Sequence, residues 1–146
     1  MIKKVHFEIP GTPRGKQRPR VVNVRGYSRT YTPEQTAVYE NLVKVCYQQQ
    51  CGRVKLSPPI SATITGFFPV PQSTSKKKRA EMLAGRILHT KRVDCDNMAK
   101  IILDALNKIA FDDDAGVAVL NVRKVYGDDP RVSVDLEEID AESLLS

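Results

Sequence analysis

Carboxylates stand at both ends of one apolar-striped segment, residues 91–114. Asp94 and Asp96 precede it in the run Asp-Cys-Asp-Asn, and three consecutive aspartates at 112–114 follow it. A helix N-terminus needs one capping acid, and a helix C-terminus disfavours acids, so capping alone does not explain the pattern. Carboxylates brought together in space are ligands that Mg²⁺ prefers. The spacing is compatible with a divalent-cation site, although acidic turns in solvated loops give the same pattern.

Cations flank these carboxylates. Lys91 and Arg92 immediately precede the aspartate pair, and Lys100 lies about one helical turn beyond Asp96. A metal held by acids, with phosphate steered by bases, is an arrangement that hydrolyses a phosphodiester. In that interpretation Lys100 stabilises the pentacoordinate phosphate or the leaving oxygen. The alternative for Lys100 is an ion pair with Asp96 or Asp104, worth roughly a few tenths of a kcal/mol.

The chain as a whole is basic, with a formal net charge of +6. Many of its cations lie in two blocks. Residues 14–29 contain no acidic residue, and residues 76–92 contain one, Glu81. Arginine side chains match phosphate oxygens and release condensed counterions, so the blocks suggest a polyanion partner. The alternative is a solvated, solubilising surface. The predicted DNA contacts are Arg14, Lys16, Arg18, Arg20, Lys91 and Arg92.

The residues between the two acidic groups fit an amphipathic helix over 97–109, at about 100° per residue. The apolar face consists of Met98, Ile102, Ala105, Leu106 and Ile109, and the opposite arc of Asn97, Lys100, Asp104, Asn107 and Lys108. The helix therefore presents Lys100 and Asp104 away from the core. In an extended entry to this helix, Asp94 and Asp96 point to one side and Cys95 turns toward the core.

The remaining elements must position that helix. Alternation predicts strands at 4–9, 60–70, 116–127 and 131–139, with a short ribbon at 21–31. The inward residues are predicted to be Val5, Phe7, Ile9, Ile60, Ala62, Ile64, Val132, Val134 and Leu136. A helix opens at Thr32 and Pro33 and runs to about Gln50, with Val38, Leu42, Val45 and Cys46 buried. A further short helix ends at Gly85. This order predicts an α+β fold with a mixed sheet.

The length of 146 residues and the 41% hydrophobic content predict one compact domain, residues 1–146. No apolar run is long enough to span a bilayer, and the start alternates like a strand instead of a signal peptide. We therefore expect a cytoplasmic protein with no membrane partner. The three cysteines are an odd number without zinc-site spacing, so reduced thiols are expected.

Several of these segments together match a known family. The run "DCDNMAKIILDALN" followed by "FDDDAGV", with "IPGTPRGKQRPR" and "TYTPEQTAVYE" upstream and "VRKVYG" downstream, resembles the RusA-like Holliday junction resolvases. The similarity runs in order from about Phe7 to Leu136. The chain differs from many relatives at Lys108, where glycine is common, and at Gly116, where glutamine is frequent.

The resemblance implies a metal-dependent structure-specific endodeoxyribonuclease that resolves four-way DNA in recombination and repair, often from phages or prophages. By position it implies Asp94, Asp96 and Asp114 as catalytic metal ligands for Mg²⁺ or Mn²⁺, with Asp113 as the rival third ligand. It implies Lys100 as the essential lysine and Asn97 and Asp104 as supporting residues. It also implies a homodimer in which each subunit cuts one strand, which suits a two-fold junction. The alternatives are a non-catalytic nucleic-acid-binding module, or a related nuclease acting on flaps, forks or structured RNA.

Overall fold

The computed structural model describes residues 2–17, 20–31 and 33–145. The elements are β1 Lys4–Pro10, β2 Arg20–Val24, β3 Tyr27–Tyr31, α1 Glu34–Cys51, β4 Ile60–Phe68, α2 Lys76–Leu83, α3 Cys95–Leu106, β5 Val117–Tyr126, β6 Arg131–Glu138 and α4 Ala141–Leu145. A single 3-10 turn, Asp114–Gly116, precedes β5. The main sheet has four strands in the order β1-β6-β4-β5, and β2 pairs with β3 in a separate ribbon. Because β5 runs parallel to β4 and the other pairs are antiparallel, the predicted mixed α+β fold is confirmed.

One face of the main sheet carries the core. Alternate residues of β1, β4 and β6 point to that face, as period-two patterning requires. The predicted inward residues of β4 and β6 are fully buried, as are Phe7 and Ile9, while Val5 is partly buried. Helices α1 and α3 cover this face and pack against each other. The alternation in the sequence therefore predicts correctly which side of the sheet is covered.

Helix α3 lies close against β4. Gly66 makes this possible, since a Cβ there would meet the sulfur of Met98 at 2.6 Å. The helix begins at Cys95 and ends at Leu106, so it starts two residues earlier and ends three residues earlier than predicted. It ends because Asn107 leaves the helical conformation, with a ψ of 131°. Lys108 follows with a φ of 71°, in the left-handed region that favours glycine. Glycine at position 108 would adopt this conformation without strain.

Helix α1 buries a different stripe from the predicted one. Val38 and Val45 are 64% and 39% exposed, so their predicted burial is wrong, whereas Cys46 is buried and Leu42 partly so. The buried residues are Thr36, Tyr39, Val43, Cys46 and Tyr47. The large tyrosine rings determine the face, and Tyr47 meets Phe7 of β1 edge-on at 5.2 Å. The predicted cap Thr32 lies outside the described residues, and Pro33 occupies the N-cap position without a side-chain bond.

The connection 127–130 joins two strands that are not neighbours. Strand β4 lies between β5 and β6, and the backbone N–H of Gly127 donates to the carbonyl of Phe68 at the end of β4. The connection therefore passes over the end of β4 and does not close a hairpin. All three cysteines are free. Within the described residues, every helix is too short or too polar to cross a membrane.

Candidate functional site

The N-terminal end of α3 presents the predicted aspartate pair. Asp94 is the N-cap residue, with an extended backbone, and its carboxylate accepts no capping hydrogen bond. Asp96 lies in the first turn, and both aspartates are exposed. Because the helix already begins at Cys95, only Asp94 keeps the extended backbone expected of this entry. Cys95 is exposed and does not turn toward the core, contrary to the prediction. The Asp94 carboxylate is therefore not used by the cap and is available to a ligand.

The exposed arc of α3 continues with Lys100 and Asp104. Lys100 is exposed, whereas Asp104 is half-buried and pairs with Lys16 at 3.2 Å. The same Lys16 ammonium pairs with Glu40 of α1 at 3.0 Å. Burial alone would lower the pKa of Lys16, but hydrogen bonds to Glu40 and Asp104 outweigh it and raise the pKa. Lys16 therefore holds the first cationic block against both α1 and α3. The sequence had instead predicted that Lys16 contacts DNA.

The segment 14–17 lies directly against the start of α3. The Lys16 N–H donates to the carbonyl of Asn97 at 3.1 Å. Gly15 permits this approach, since a Cβ there would overlap the side chain of Val93. A cleft of about 410 Å³ remains between the two segments, lined by Gly15, Lys16, Gln17, Arg92, Val93, Asp94 and Asn97. The fold thus brings part of each cationic block to the same cleft as Asp94.

Lys124 of β5 fixes the segment that leads into Asp94. Its ammonium group donates to the carbonyl oxygens of Lys91 and Val93. Sequence analysis did not identify this lysine as a site residue. Its position within "VRKVYG" was the available signal, because that run belongs to the family resemblance. Lys124 therefore fixes the backbone segment that carries Lys91, Arg92 and Asp94.

The acidic turn at 112–114 divides its carboxylates between two environments. Asp112 is exposed and pairs with Lys55, which lowers the pKa of its carboxyl. The backbone N–H of Asp114 donates to the side-chain oxygen of Asn107 at 2.8 Å. Burial, a hydrogen bond with Asp113 and the charges of Asp113 and Asp104 raise the pKa of Asp114. Asp113 and Asp114 therefore form the acidic group at this end of α3.

A single chain leaves the two acidic groups apart. Asp114 lies near Asn107 and Asp104, whereas Asp94 lies at the opposite end of α3, about 15 Å of helix from Asp104. Among the described residues, no three His, Cys, Asp or Glu side chains lie close enough to hold one metal ion. Asp94 and Asp96 nevertheless suit Mg²⁺, which commonly takes one or two carboxylates and completes its shell with water and substrate phosphate.

The predicted DNA contacts are distributed as follows. Arg14, Lys91 and Arg92 are exposed, with Arg92 in the cleft beside Asp94. Arg18 lies outside the described residues, and Arg20 is described only as the first backbone position of β2. Arg14 lies instead against α1, where it lines a cavity with Gln35 and Val38. Of these exposed cations, Arg92 is therefore the one that the structure places beside Asp94.

Comparison with known proteins identifies the family of this chain. Residues 10–137 match the family model described as Endodeoxyribonuclease RusA. The chain is 30% identical over 139 residues to a protein of Bacillus subtilis (strain 168) called "Uncharacterized protein YqaN", covering 94% of this chain and 98% of the relative. It is 24% identical over 141 residues to the crossover junction endodeoxyribonuclease rusA of Lactococcus phage r1t, covering 91% and 95% of the two chains. The match over most of its length shows that this chain belongs to the RusA endodeoxyribonuclease family.

Proposed function

We propose that this chain, acting as one domain over residues 1–146, is a divalent-metal-dependent endodeoxyribonuclease of the cytoplasm. Its proposed substrate is four-way junction DNA in recombination and repair, resolved by paired hydrolysis of phosphodiester bonds. Family membership supports the nuclease activity. The observation that carries the proposal is the exposed pair Asp94 and Asp96 at the start of α3. The cleft beside Asp94 is also lined by Lys16 and Arg92.

Asp94 and Asp96 are the residues that we propose hold the cation, Mg²⁺ or Mn²⁺. Asp94 lines the cleft, and neither carboxylate is buried. When bound, the cation supplies Lewis-acid activation of water and neutralises charge on the phosphate. Asn97 lines the same cleft and offers an amide to the bound DNA or to a water molecule.

Lys100 is the residue that we propose stabilises the developing negative charge. It is exposed on the turn that follows Asp96, and Asp104 is paired with Lys16 and not with Lys100. An ammonium group at this position can approach a phosphate oxygen beside the carboxylate pair. Asp104 then acts as a supporting residue, because its ion pair with Lys16 holds segment 14–17 in place.

Arg14, Lys91 and Arg92 are the exposed residues that we propose bind DNA phosphates, together with Arg18 and Arg20 of the same cationic block. Guanidinium groups are suited to this role because they bind phosphate oxygens in a two-pronged manner. Lys16 contributes indirectly, since its ammonium group is engaged with two carboxylates. The bound duplex is thereby directed toward Asp94.

We propose Asp114 as the third carboxylate, with Asp113 as its rival, and a homodimer as the active form. A homodimer supplies two active sites related by two-fold symmetry, one for each of the opposed strands of a four-way junction. It also supplies a second copy of the acidic turn. The single chain holds its own Asp114 at the far end of α3 from Asp94.

The test is cleavage of a labelled synthetic four-way junction with Mg²⁺, with Mn²⁺ and with chelator alone. We expect paired nicks that need the metal. Asp94→Asn should lower cleavage by at least about 100-fold, since it removes a metal-ligand charge, and leave junction binding in a gel shift near that of the wild type.

The same assay separates the alternatives. A shifted band with no nicked product in either metal would identify a nucleic-acid-binding module and reject the nuclease. Cleavage of flaps, replication forks or structured RNA in preference to the junction, measured side by side, would keep the chemistry and replace the substrate. Full cleavage by Asp94→Asn would reject the assignment of the metal ligands.

A further inference from the structure

The two edges of the main sheet differ in how their backbone groups are satisfied. At the β1 edge, the side chain of Gln50 accepts from the Glu8 N–H at 2.9 Å and donates to the Glu8 carbonyl at 2.7 Å. The Cys51 thiol donates to the carbonyl of His6 at 3.5 Å. Exposed strand edges pair readily with other chains, and covering them is a common protection. The β1 edge is therefore closed by the end of α1.

The β5 edge is covered at one end only. The His89 N–H donates to the carbonyl of Lys124 at 3.3 Å. Since backbone groups of a strand alternate in direction, Leu120 and Val122 also direct their N–H and C=O groups away from β4. Over residues 118–123, no backbone bond from the described part of the chain reaches this outer edge. These groups are free to pair with a further strand.

The free part of this edge is uncharged. Residues 117–122 read Val-Ala-Val-Leu-Asn-Val, and the side chain of Leu120 is 45% exposed. Lysine and proline, which often guard exposed edges, are absent from this stretch. Acids lie just before it, at 112–114, and Arg123 and Lys124 lie just after it. Each end of the strand thus carries the charge opposite to that of the other end.

We propose that the β5 edge, residues 117–123, is the surface on which a second copy of this chain pairs, strand against strand and antiparallel. Antiparallel pairing sets the acidic end of one copy against the basic end of its partner. Parallel pairing would oppose acids to acids and bases to bases. In a chain of net charge +6, two copies can approach most readily along an uncharged segment. The proposal rests on the homodimer of the proposed function, for which it names the contact surface.

This pairing has a definite geometry. The two-fold axis passes near Leu120, because the uncharged run is centred there and the charged ends then face each other. The two sheets join into one continuous sheet across the axis. Directly opposed residues of antiparallel strands have Cα atoms about 4.5–5.5 Å apart, a separation that a disulfide can bridge. Leu120 is therefore the position at which a substitution reports most directly on the contact.

The first experiment measures mass by sedimentation equilibrium, without DNA and in chelator. The wild type should have twice the chain mass of 16.3 kDa. Leu120→Lys should weaken dimerisation by about tenfold or more, since it places like charges opposite each other. Val38→Lys is the matched control, because Val38 is an exposed apolar residue of α1, distant in sequence from the β5 edge. Equal weakening by both substitutions, or a monomeric wild type, would overturn the proposal.

The second experiment tests the contact without disturbing its charge. Leu120→Cys in a Cys95→Ser background should form a disulfide-linked dimer on mild oxidation. Val38→Cys, at an exposed position of α1, is the control in the same background and should remain monomeric on a denaturing gel. If the protein is a dimer in solution but Leu120→Cys does not cross-link faster than Val38→Cys, the interface lies elsewhere and the proposal is rejected.

Neither measurement contains DNA or metal, so the outcome is independent of cleavage. A dimer through β5 without junction cleavage would reject the nuclease and retain the interface. Junction cleavage by a chain whose Leu120→Lys variant dimerises as well as the wild type would retain the nuclease and reject the interface.

Discussion

The role proposed for Lys100 depends on which side chains lie around it. It follows Asp96 by four positions, where a helix commonly forms an ion pair, yet Asp104 on the same arc is bound to Lys16. We expect Lys100→Gln to lower the rate of junction cleavage by about 100- to 1000-fold, as removal of one charge-stabilising group does elsewhere. Single-turnover kinetics at saturating protein would measure this.

Lys108 provides the matched control for Lys100. It is also an exposed lysine, two residues beyond the end of α3 and distant from the Asp94 end. Lys108→Gln should cleave at close to the wild-type rate, with both variants binding the junction equally. Comparable losses in the two variants would indicate that total positive charge matters and not the position of Lys100.

Asp114 offers a prediction on stability and pH. Burial and neighbouring acids raise the pKa of its carboxyl in the folded chain, so folding favours the protonated form. The folded state then holds more protons than the unfolded state between the two pKa values, and stability falls as pH rises through that window. In chelator at pH 7, Asp114→Asn should raise the melting temperature slightly, by about 1 °C, while abolishing cleavage.

Asp112→Asn is the control for Asp114. The pKa of Asp112 is lowered by Lys55, so its charged form favours folding and its loss cannot raise stability above the ordinary pKa of aspartate. Thermal melts of both variants from pH 3 to pH 7 would compare them. A lower melting temperature for Asp114→Asn at pH 7 would contradict the inferred environment of Asp114.

The residue types predicted the chemistry of the candidate site, but they did not predict which side chains bond to one another there. The paired aspartates and the flanking cations could be predicted, because acidic and basic residues lie a few positions apart in and just before α3. The bonds of Lys16 to Glu40 and of Lys124 to the carbonyl of Val93 join residues far apart in the chain. Such contacts depend on how elements pack, so no local pattern contains them. The roles of Asp94, Asp96, Asp114 and Lys100 remain predictions.

At the scale of elements, the contact between segment 14–17 and α3 connects the two cationic blocks. We expect Gly15→Ala to disturb this contact, because the added methyl group would overlap the side chain of Val93. Junction affinity and cleavage should both fall, by about tenfold, as misplacement of positioning residues does. Thr12→Ala, at an exposed position in the same loop, should behave as wild type. Unchanged affinity in Gly15→Ala would show that the segment does not guide DNA.

The sequence predicted the strands and the apolar face of α3 more accurately than the buried face of α1. Strict alternation in β1, β4 and β6 identified the inward residues, because the period of two leaves little freedom. In α1, valines and tyrosines compete for the core at similar spacing, and the prediction chose Val38 and Val45, which are exposed. The neighbour order of β5, β4 and β6 was also not predictable, because a four-residue connection usually suggests adjacent strands.

At the scale of the whole molecule, the separation of the acidic groups indicates how two copies would work together. In the proposed β5 pairing, Asp114 lies six positions before Leu120 and Lys124 four positions after it. Antiparallel pairing about Leu120 therefore sets Gly116 opposite the partner's Lys124, with Asp114 two positions before that pair. In each chain, Lys124 binds the carbonyl of Val93 next to Asp94. A third carboxylate supplied by the partner would then complete each site.

Mixed dimers test this arrangement. Asp94→Asn and Asp114→Asn should each be inactive alone, yet a mixture refolded together should recover nicking. If Asp114 acts on the partner's Asp94, the mixed dimer carries one site with both substitutions and one intact site. Each mixed dimer should therefore nick one strand at up to about half the wild-type rate. Because statistical pairing makes about half of all dimers mixed, the whole mixture should reach up to about a quarter of the wild-type rate. If Asp114 acts within its own chain, both sites of the mixed dimer are damaged and the mixture stays inactive. That outcome would mean that each metal site takes all of its carboxylates from one chain, after a change in that chain's conformation.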